Sequence, residues 1–330
     1  MTTPLDITPL KLNDDDIDIS QPLDEHASPD LISTFLSPVY STPSLNLILD
    51  YYVQSQSISN NLIIWNSKNF IIFFTLVSSY GFYLIHDNYE IIGVIKSMTY
   101  NSGSNIFSLS YFVILLISTY LIFLKNFNNY FQNESKKLAI TNASELFTEN
   151  VNLQELVKLN EKRTKSDDDS GDKKLSKDEE KLLENCENVK LFIYRKVPIA
   201  IIILNPYNQI PDSDEFTVKI MGLNVRNVYK NIGLYDDLIE WAIKRSITLN
   251  EVYNKKQMKS KSNEVPNKLK SKLKLTVDVY SFHSIIRQSL LKYKFKLVEK
   301  SYLPTFLGSF YKISNDSYEL LLDLNESSAK

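Results

Sequence analysis

Two long stretches of the chain contain no charged residue, and they limit its possible folds more than any other feature. The first covers residues 69–85 and the second residues 105–124. A helix rises 1.5 Å per residue, so about 20 apolar residues cross the hydrocarbon layer of a bilayer. The second stretch has that length, and the first reaches it when its flanks are included. Buried core helices are the alternative, but uncharged core helices of this length are rare.

The two stretches predict a two-helix transmembrane hairpin within residues 61–130. The segment between them, residues 86–104, is too short to be a domain. Lysines flank the two stretches on the side of the termini, with Lys68 before the first stretch and Lys125 after the second. Basic flanks stay on the cytosolic side of a membrane, so both termini are expected in the cytosol and the connecting segment in the lumen. The N-x-S/T sequons at Asn133, Asn142, Asn315 and Asn325 are then expected to carry no glycan.

The composition excludes several functional classes. The net charge of −2 gives no overall attraction for nucleic acid. Seven glycines and no Gly-rich string make a phosphate-cradling loop improbable. The only cysteine, Cys186, and three widely spaced histidines offer no structural zinc site. Neither uncharged stretch holds an Asp, Glu, Lys, Arg or His residue, which disfavours a carrier.

Charged segments surround the folded parts of the chain. Residues 1–60 are acidic and proline-rich, and they are predicted to be a mostly disordered cytosolic tail. Residues 163–181 and 254–272 are predicted to be charged insertions. The second insertion carries seven lysines against one glutamate. Solvation is the favoured interpretation of this lysine-rich loop, and contact with anionic lipid is the alternative.

The remaining residues, 138–322, alternate between helical and strand patterns. Apolar residues have helical spacing in residues 139–159, 234–249 and 281–293. Strand patterns cover residues 189–195, 197–204, 215–225, 272–280, 298–302 and 307–313. This order predicts one mixed α/β domain.

The loop after the strand at residues 215–225 contains Lys230, Gly233 and Tyr235, and Asp236 and Asp237 follow directly. The loop and the element order resemble the GNAT N-acetyltransferase family. There, an R/Q-x-x-G-x-G/A loop and the next helix N-terminus hold the coenzyme A pyrophosphate. Lys230 matches the basic position and Gly233 the first glycine, but Tyr235 replaces the second small residue.

The resemblance implies a degenerate site without a cofactor. The ring of Tyr235 is expected to occupy the space of the pyrophosphate, and the two aspartates repel a phosphate. Further along, Leu290 stands where the family has its general-acid tyrosine. His283 replaces the family's asparagine, and a lone histidine at a helix start is more often a cap or a buried side chain than a catalyst.

Short strings near the N-terminus, at residues 4–9, 44–47 and 50–56, complete a second resemblance. Together with the hairpin and the GNAT-like domain, they resemble a fungal family, the endoplasmic-reticulum accessory protein of the high-affinity inorganic phosphate transporter. Members are not carriers; they help to fold the transporter and load it into export vesicles.

This second resemblance implies a non-enzymatic factor of the endoplasmic-reticulum membrane. Its expected partners are a polytopic transporter as client, vesicle-coat components and membrane lipid. A membrane-anchored acetyltransferase is the alternative function.

Hydroxyl side chains within the uncharged stretches are candidates for contact with a client helix. They are Ser78, Ser79, Ser118 and Thr119. Small and hydroxyl residues let membrane helices approach closely and form hydrogen bonds with one another. These four side chains are expected to face either the other helix of the hairpin or a helix of the client.

Overall fold

The computed structural model describes residues 31–99, 102–127, 129–141, 143–147, 153, 155–159, 185–207, 213–259, 270–304 and 306–324. The chain divides into two compact units. The hairpin unit comprises residues 49–140 and 276–321, and the sheet unit comprises the described parts of residues 1–48, 141–275 and 322–330. These units cut across the domain boundaries predicted from the sequence, because the hairpin shares a unit with the last part of the chain.

The elements form a mixed α/β fold, as predicted. The labelled helices are α1 (Ser41–Ile64), α2 (Ser67–Thr99), α3 (Ser102–Phe127), α4 (Asn129–Ile140), α5 (Leu234–Lys259), α6 (Ser284–Lys292) and α7 (Phe306–Ser309). The strands are β1 (Leu31–Phe35), β2 (Val189–Tyr194), β3 (Val197–Pro206), β4 (Glu215–Val225), β5 (Lys272–Tyr280), β6 (Lys296–Tyr302) and β7 (Ser314–Asp323). They form a seven-stranded sheet in the order β1-β2-β3-β4-β5-β7-β6.

Strand β3 lies at the centre of the core of the sheet unit. Its residues 199–204 are each at most 1 % exposed. A strand buried on both faces is a continuous apolar run rather than an alternation, and this segment is such a run. It pairs antiparallel with β2 and with β4. Arg195 and Lys196 both have positive φ and close the β2–β3 turn, as a tight two-residue hairpin requires.

The segment 31–60 is folded, so its assignment to a disordered tail is wrong. β1 pairs antiparallel with β2, with Leu31 opposite Tyr194. In the helix that follows, the backbone oxygen of Leu47 accepts a 2.7 Å hydrogen bond from the carboxamide of Asn224. The sequence suggested disorder because these elements bury their surface on residues far away in the chain.

The charged segments are described only in part. Residues 1–30 and the whole insertion 163–181 lie outside the described residues. The beginning of the insertion 254–272 is helical, because α5 continues beyond residue 249. The carboxamide of Asn254 explains this extension, since it donates to and accepts from the backbone of Lys270, at 3.0 Å in each case.

The predicted strands at 189–195, 197–204, 215–225 and 272–280 are confirmed. Two other segments differ from their prediction. Residues 139–159 are not one helix, since α4 ends at Ile140 and Ala143 has a left-handed φ of 54°. Residues 307–313 are not a strand, since α7 lies there and β7 begins at Ser314. Leu307 is buried in the hydrophobic cluster of the hairpin unit, and this packing accounts for the apolar residues that suggested a strand.

Helices α2 and α3 pack against each other in the hairpin unit. The rings of Tyr80 and Phe112 stack with centroids 4.1 Å apart. Helix α2 continues to Thr99, so much of the predicted connecting segment 86–104 is helical. At 1.5 Å per residue, its 33 residues measure about 50 Å, more than the hydrocarbon layer of a bilayer.

The structure supports one membrane span by length and composition. The helical segment Gly103–Ile140 is long and apolar enough to cross a bilayer by itself. The first predicted span meets the same criteria only as part of a bent pair, Pro38–Ile64 with Ser67–Leu84, whose axes differ by 46°. A hairpin of two transmembrane helices is therefore not confirmed and stays a proposal.

A hydrogen-bond network lies at the bend between α1 and α2. The carboxamide nitrogen of Asn69 donates to the backbone oxygen of Ile63 and, at 3.0 Å, to the hydroxyl of Tyr120. Its carboxamide oxygen accepts a 2.9 Å hydrogen bond from the hydroxyl of Tyr311. The last backbone carbonyl groups of a helix have no N–H partner within the helix, because no further turn follows them. Asn69 therefore caps the end of α1 and connects α2 to α3 and to the residues after α7.

Replacing Asn69 with alanine is expected to destabilise the hairpin unit by about 2–3 kcal/mol, because three hydrogen bonds are lost at a partly buried position. Thermal unfolding of the full chain in detergent micelles measures the change. The matched control is Asn61→Ala, an exposed asparagine on α1, which is expected to be nearly neutral. Equal melting temperatures for the two variants would contradict this role of Asn69.

Candidate functional site

The loop between β4 and α5 contains the predicted cofactor residues. Asn227–Tyr229 forms a single 3-10 turn, and Gly233 has a φ of +89°, which glycine adopts without strain. Helix α5 begins directly after Gly233, and the N–H groups of Asp236 and Asp237 both donate to its carbonyl oxygen, at 2.9 and 3.3 Å. The loop therefore holds Lys230 and Gly233 close to the N-terminus of a helix, where anions bind in other proteins.

Tyr235 does not stand in the mouth of this loop, so the steric part of the sequence argument is wrong. Its side chain is 2 % exposed, and its hydroxyl is hydrogen-bonded to the backbone of Val225. Burial raises the pKa of the Tyr235 phenol well above its usual value. The ring points into the core because the first turn of α5 packs its apolar side on the strands, and Tyr235 lies on that side.

Two carboxylates lie at the beginning of α5. Asp236 and Asp237 lie in the first turn of α5. Carboxylates at this position stabilise the helix through its dipole, and they reduce the positive potential that would attract a phosphate. Asp237 is exposed and Asp236 is half-buried, and their place in the first turn puts both carboxylates near the N-terminal N–H groups.

The other positions compared with acetyltransferases are buried. Leu290 is completely buried, and its hydrocarbon side chain cannot donate a proton. His283 is 6 % exposed, and its Nε2 lies 2.9 Å from the hydroxyl of Ser55. The ring of Tyr51 stacks on the imidazole at 5.1 Å. His283 does not cap α6 with its side chain, and its surroundings are those of a packed core residue.

Ser55 belongs to a buried stripe along α1 that the sequence analysis missed. The stripe recurs at helical spacing and comprises Ser44, Ile48, Ser55, Ser59 and Ile63. Hydropathy scales class serine as polar, so a buried helix face that contains several serines is not detected as an apolar stripe. Its intervals of four residues, with one of seven between Ile48 and Ser55, were the signal that could have found it.

The hydroxyl residues predicted for client contact lie on α2 and α3. All of them are exposed in the structure: Ser78, Ser79, Ser118 and Thr119. The contact between the two helices is made by other side chains, including the stacked rings of Tyr80 and Phe112. The surface of the helix pair therefore presents these four side chains outward.

The structure offers little for redox or metal chemistry. Burial raises the pKa of the Cys186 thiol to about 12, so the thiol is protonated and unreactive at neutral pH. Within the part of the chain that the structure describes, no group of three or more His, Cys, Asp or Glu side chains is placed to hold a metal ion.

Several solved acetyltransferase structures resemble part of this chain, with low sequence identity and low TM-scores. A putative GNAT acetyltransferase from Desulfovibrio desulfuricans has 9% identity and a TM-score of 0.26, over 40% of this chain and 66% of that chain, just under two thirds. An N-acetyltransferase from Staphylococcus aureus has 15% identity and a TM-score of 0.29, over 44% of this chain and 72% of that chain. Naa50 from Arabidopsis thaliana has 14% identity and a TM-score of 0.28, over 47% of this chain and 86% of that chain. TM-scores in this range carry no argument about function.

A family profile covers nearly the whole chain, whereas no curated protein matches it. The profile is that of the Pho86 family, described as inorganic phosphate transporter chaperones, and it matches residues 13–322. The match includes the hairpin helices and all seven strands except the last residue of β7, so it does not rest on one motif. The chain therefore belongs to the Pho86 family of inorganic phosphate transporter chaperones.

Proposed function

We propose that the protein is a non-enzymatic factor of the endoplasmic-reticulum membrane that assists the folding and vesicle packaging of the high-affinity phosphate transporter. Residues 69–85 and 105–124 form a two-helix transmembrane hairpin, and both termini are cytosolic. The client is a polytopic transporter, and vesicle-coat components and membrane lipid are further partners. The chaperone description of the family supports the choice of client.

The exposed apolar surface of α2 and α3 carries this proposal. Large apolar side chains project outward on both helices, among them Phe74 at 62 %, Phe107 at 80 % and Ile122 at 64 % exposed. Soluble proteins rarely expose contiguous apolar patches larger than a few hundred Å², because burial of apolar area is worth about 25 cal/mol per Å². Lipid and a client helix are the surroundings that would cover such a surface.

The alternative, a membrane-anchored acetyltransferase, has less support. Two carboxylates lie at the N-terminus of α5, where a pyrophosphate would need positive potential. Leu290 is buried at the position compared with the general-acid tyrosine. The loop keeps Lys230 and a glycine of positive φ, and these residues are the reason to test binding directly.

We expect both termini to be cytosolic, because Lys68 and Lys125 flank the hairpin on one side. Protease added to sealed microsomes should therefore digest an N-terminal epitope tag and the sheet unit. Detergent-opened microsomes are the control for protease activity. Protection of the sheet unit, or a glycan on Asn315, would show the opposite orientation.

We consider a variant in which Ser78, Ser79, Ser118 and Thr119 are all replaced with leucine. The variant is expected to stay inserted in the membrane, because leucine favours the hydrocarbon layer. It should weaken association with the transporter, since each interhelical hydrogen bond is worth about 0.6 to 2 kcal/mol. Loss of about 1.4 kcal/mol lowers the association constant roughly tenfold. Co-purification after mild crosslinking measures association, and surface delivery of the transporter measures its consequence.

The matched control for this variant is leucine at Ile71 and Ile122, two exposed isoleucines on the same helices. It changes side-chain shape without removing a hydroxyl, so association should be retained. Normal transporter delivery with all four hydroxyl positions replaced would mean that the helices only anchor the protein.

Acetyl-coenzyme A is not expected to bind. Calorimetry on the detergent-purified full chain should show no heat of binding at millimolar ligand, because the helix N-terminus is already neutralised by Asp236 and Asp237. Micromolar affinity, or acetylation of a peptide, would favour the enzyme interpretation. The double variant Asp236→Asn/Asp237→Asn tests whether these two charges prevent binding. If they do, removing them should raise the affinity for acetyl-coenzyme A.

A further inference from the structure

The hairpin unit contains an apolar groove of about 510 Å³, here called the basal groove. Its lining comes from the end of α1, the first turns of α2, the last turns of α3, and α7 with the two residues after it. The side chains that define it are Phe73, Leu76, Leu116, Ile117, Phe306 and Phe310. The volume is in the range of pockets that hold small ligands.

The polar groups in the walls are bonded to one another. The carboxamide of Asn69 is within hydrogen-bond distance of the hydroxyls of Tyr120 and Tyr311, at 3.0 and 2.9 Å. The surface presented to a ligand is therefore hydrocarbon. A polar ligand would lose its hydration there without replacement, so the groove favours an apolar chain.

The rim of the groove carries a cation and an indole ring. The Lys68 ammonium is exposed, donates to the backbone oxygen of Phe310 at 3.0 Å and lies 4.8 Å above the ring of Phe310. An ammonium has three donors, so this contact leaves donors for an anionic group. Trp65 is 70 % exposed at the same end, and tryptophan prefers the interface between hydrocarbon and headgroups.

We infer that the basal groove is a binding site for one acyl chain of an anionic phospholipid, with the lipid phosphate at Lys68. This rests on the proposed insertion of α2 and α3, which places the groove in the cytosolic leaflet. A client helix is a weaker fit. One helical turn, about 10 Å wide and 5.4 Å long, already has a volume of roughly 400 Å³, so the groove would hold only a single turn. An acyl chain carries no backbone polar groups, so it needs no hydrogen-bond partner from the hydrocarbon lining.

The test uses the full chain in nanodiscs of phosphatidylcholine with a trace of phosphatidylserine that bears a diazirine on its acyl chain. After irradiation, mass spectrometry locates the adducts. We expect them to concentrate on the groove peptides of α2, α3 and α7, above the level on the exposed residues of the same helices. An even distribution along α2 and α3 would overturn the inference.

Two pairs of variants make the test specific. Ile117→Trp fills the groove and should lower groove adducts roughly tenfold, whereas Ile122→Trp, exposed on the same helix outside the groove, should not. Lys68→Gln should lower the preference for phosphatidylserine over a phosphatidylcholine probe about fivefold. Lys125→Gln, which removes another exposed lysine near the same end of the helices, should change it less.

The outcomes separate this inference from the proposed function. If carbonate extraction releases the protein and neither α2 nor α3 is labelled, membrane insertion itself fails. If both helices are labelled but the groove is not, or if Ile117→Trp changes nothing, only the lipid site fails. Replacement of groove adducts by crosslinks to the transporter, when the transporter is added, would identify a client helix as the occupant instead.

Discussion

The hydrogen bonds of the Asn69 carboxamide are the interactions on which the hairpin unit depends. The carboxamide caps the last turn of α1 and is bonded to the hydroxyl of Tyr120 on α3. It also accepts from Tyr311, which follows α7 and precedes the last strand. The first turn of α2 is thereby fixed to the residues beside it, and the basal groove takes its shape from the same contacts. A displacement of α2 would have to break these bonds or carry α7 with it.

The sequence was informative about the fold where one element shows its own burial pattern. Strands β4 and β5 alternate between buried and less buried residues, so their period was visible. β1 has only five residues and owes its conformation to pairing with β2, which no local pattern records. The buried face of α1 was not recognised, because serines form part of it. α7 is one short helical turn whose composition resembles that of a strand, and only its packing decides between the two.

In the loop between β4 and α5, the sequence likewise predicts the local features but not the direction of every side chain. The loop's position after β4 and the two aspartates at the start of the next helix could be predicted, since each follows from local sequence. The direction of Tyr235 could not. A residue in the first turn of a helix faces either solvent or core according to how the helix packs, and here it packs with Tyr235 inward. Likewise, the contact between His283 and Ser55 joins residues 228 positions apart.

The length of the first uncharged stretch has a consequence for where such a protein is stable. As a helix, residues 69–85 are about 26 Å long, close to the roughly 27 Å hydrocarbon thickness of the endoplasmic-reticulum bilayer and short of the roughly 32 Å of the plasma membrane. Asn69 fixes one end of this stretch, and Asp87 follows the other end in the sequence. With the hairpin inserted as proposed, a thicker bilayer would have to become thinner around the helix, or the carboxylate of Asp87 would have to enter the hydrocarbon layer. Hydrophobic mismatch would therefore favour the thin membranes of the early secretory pathway over the membrane in which a delivered transporter works.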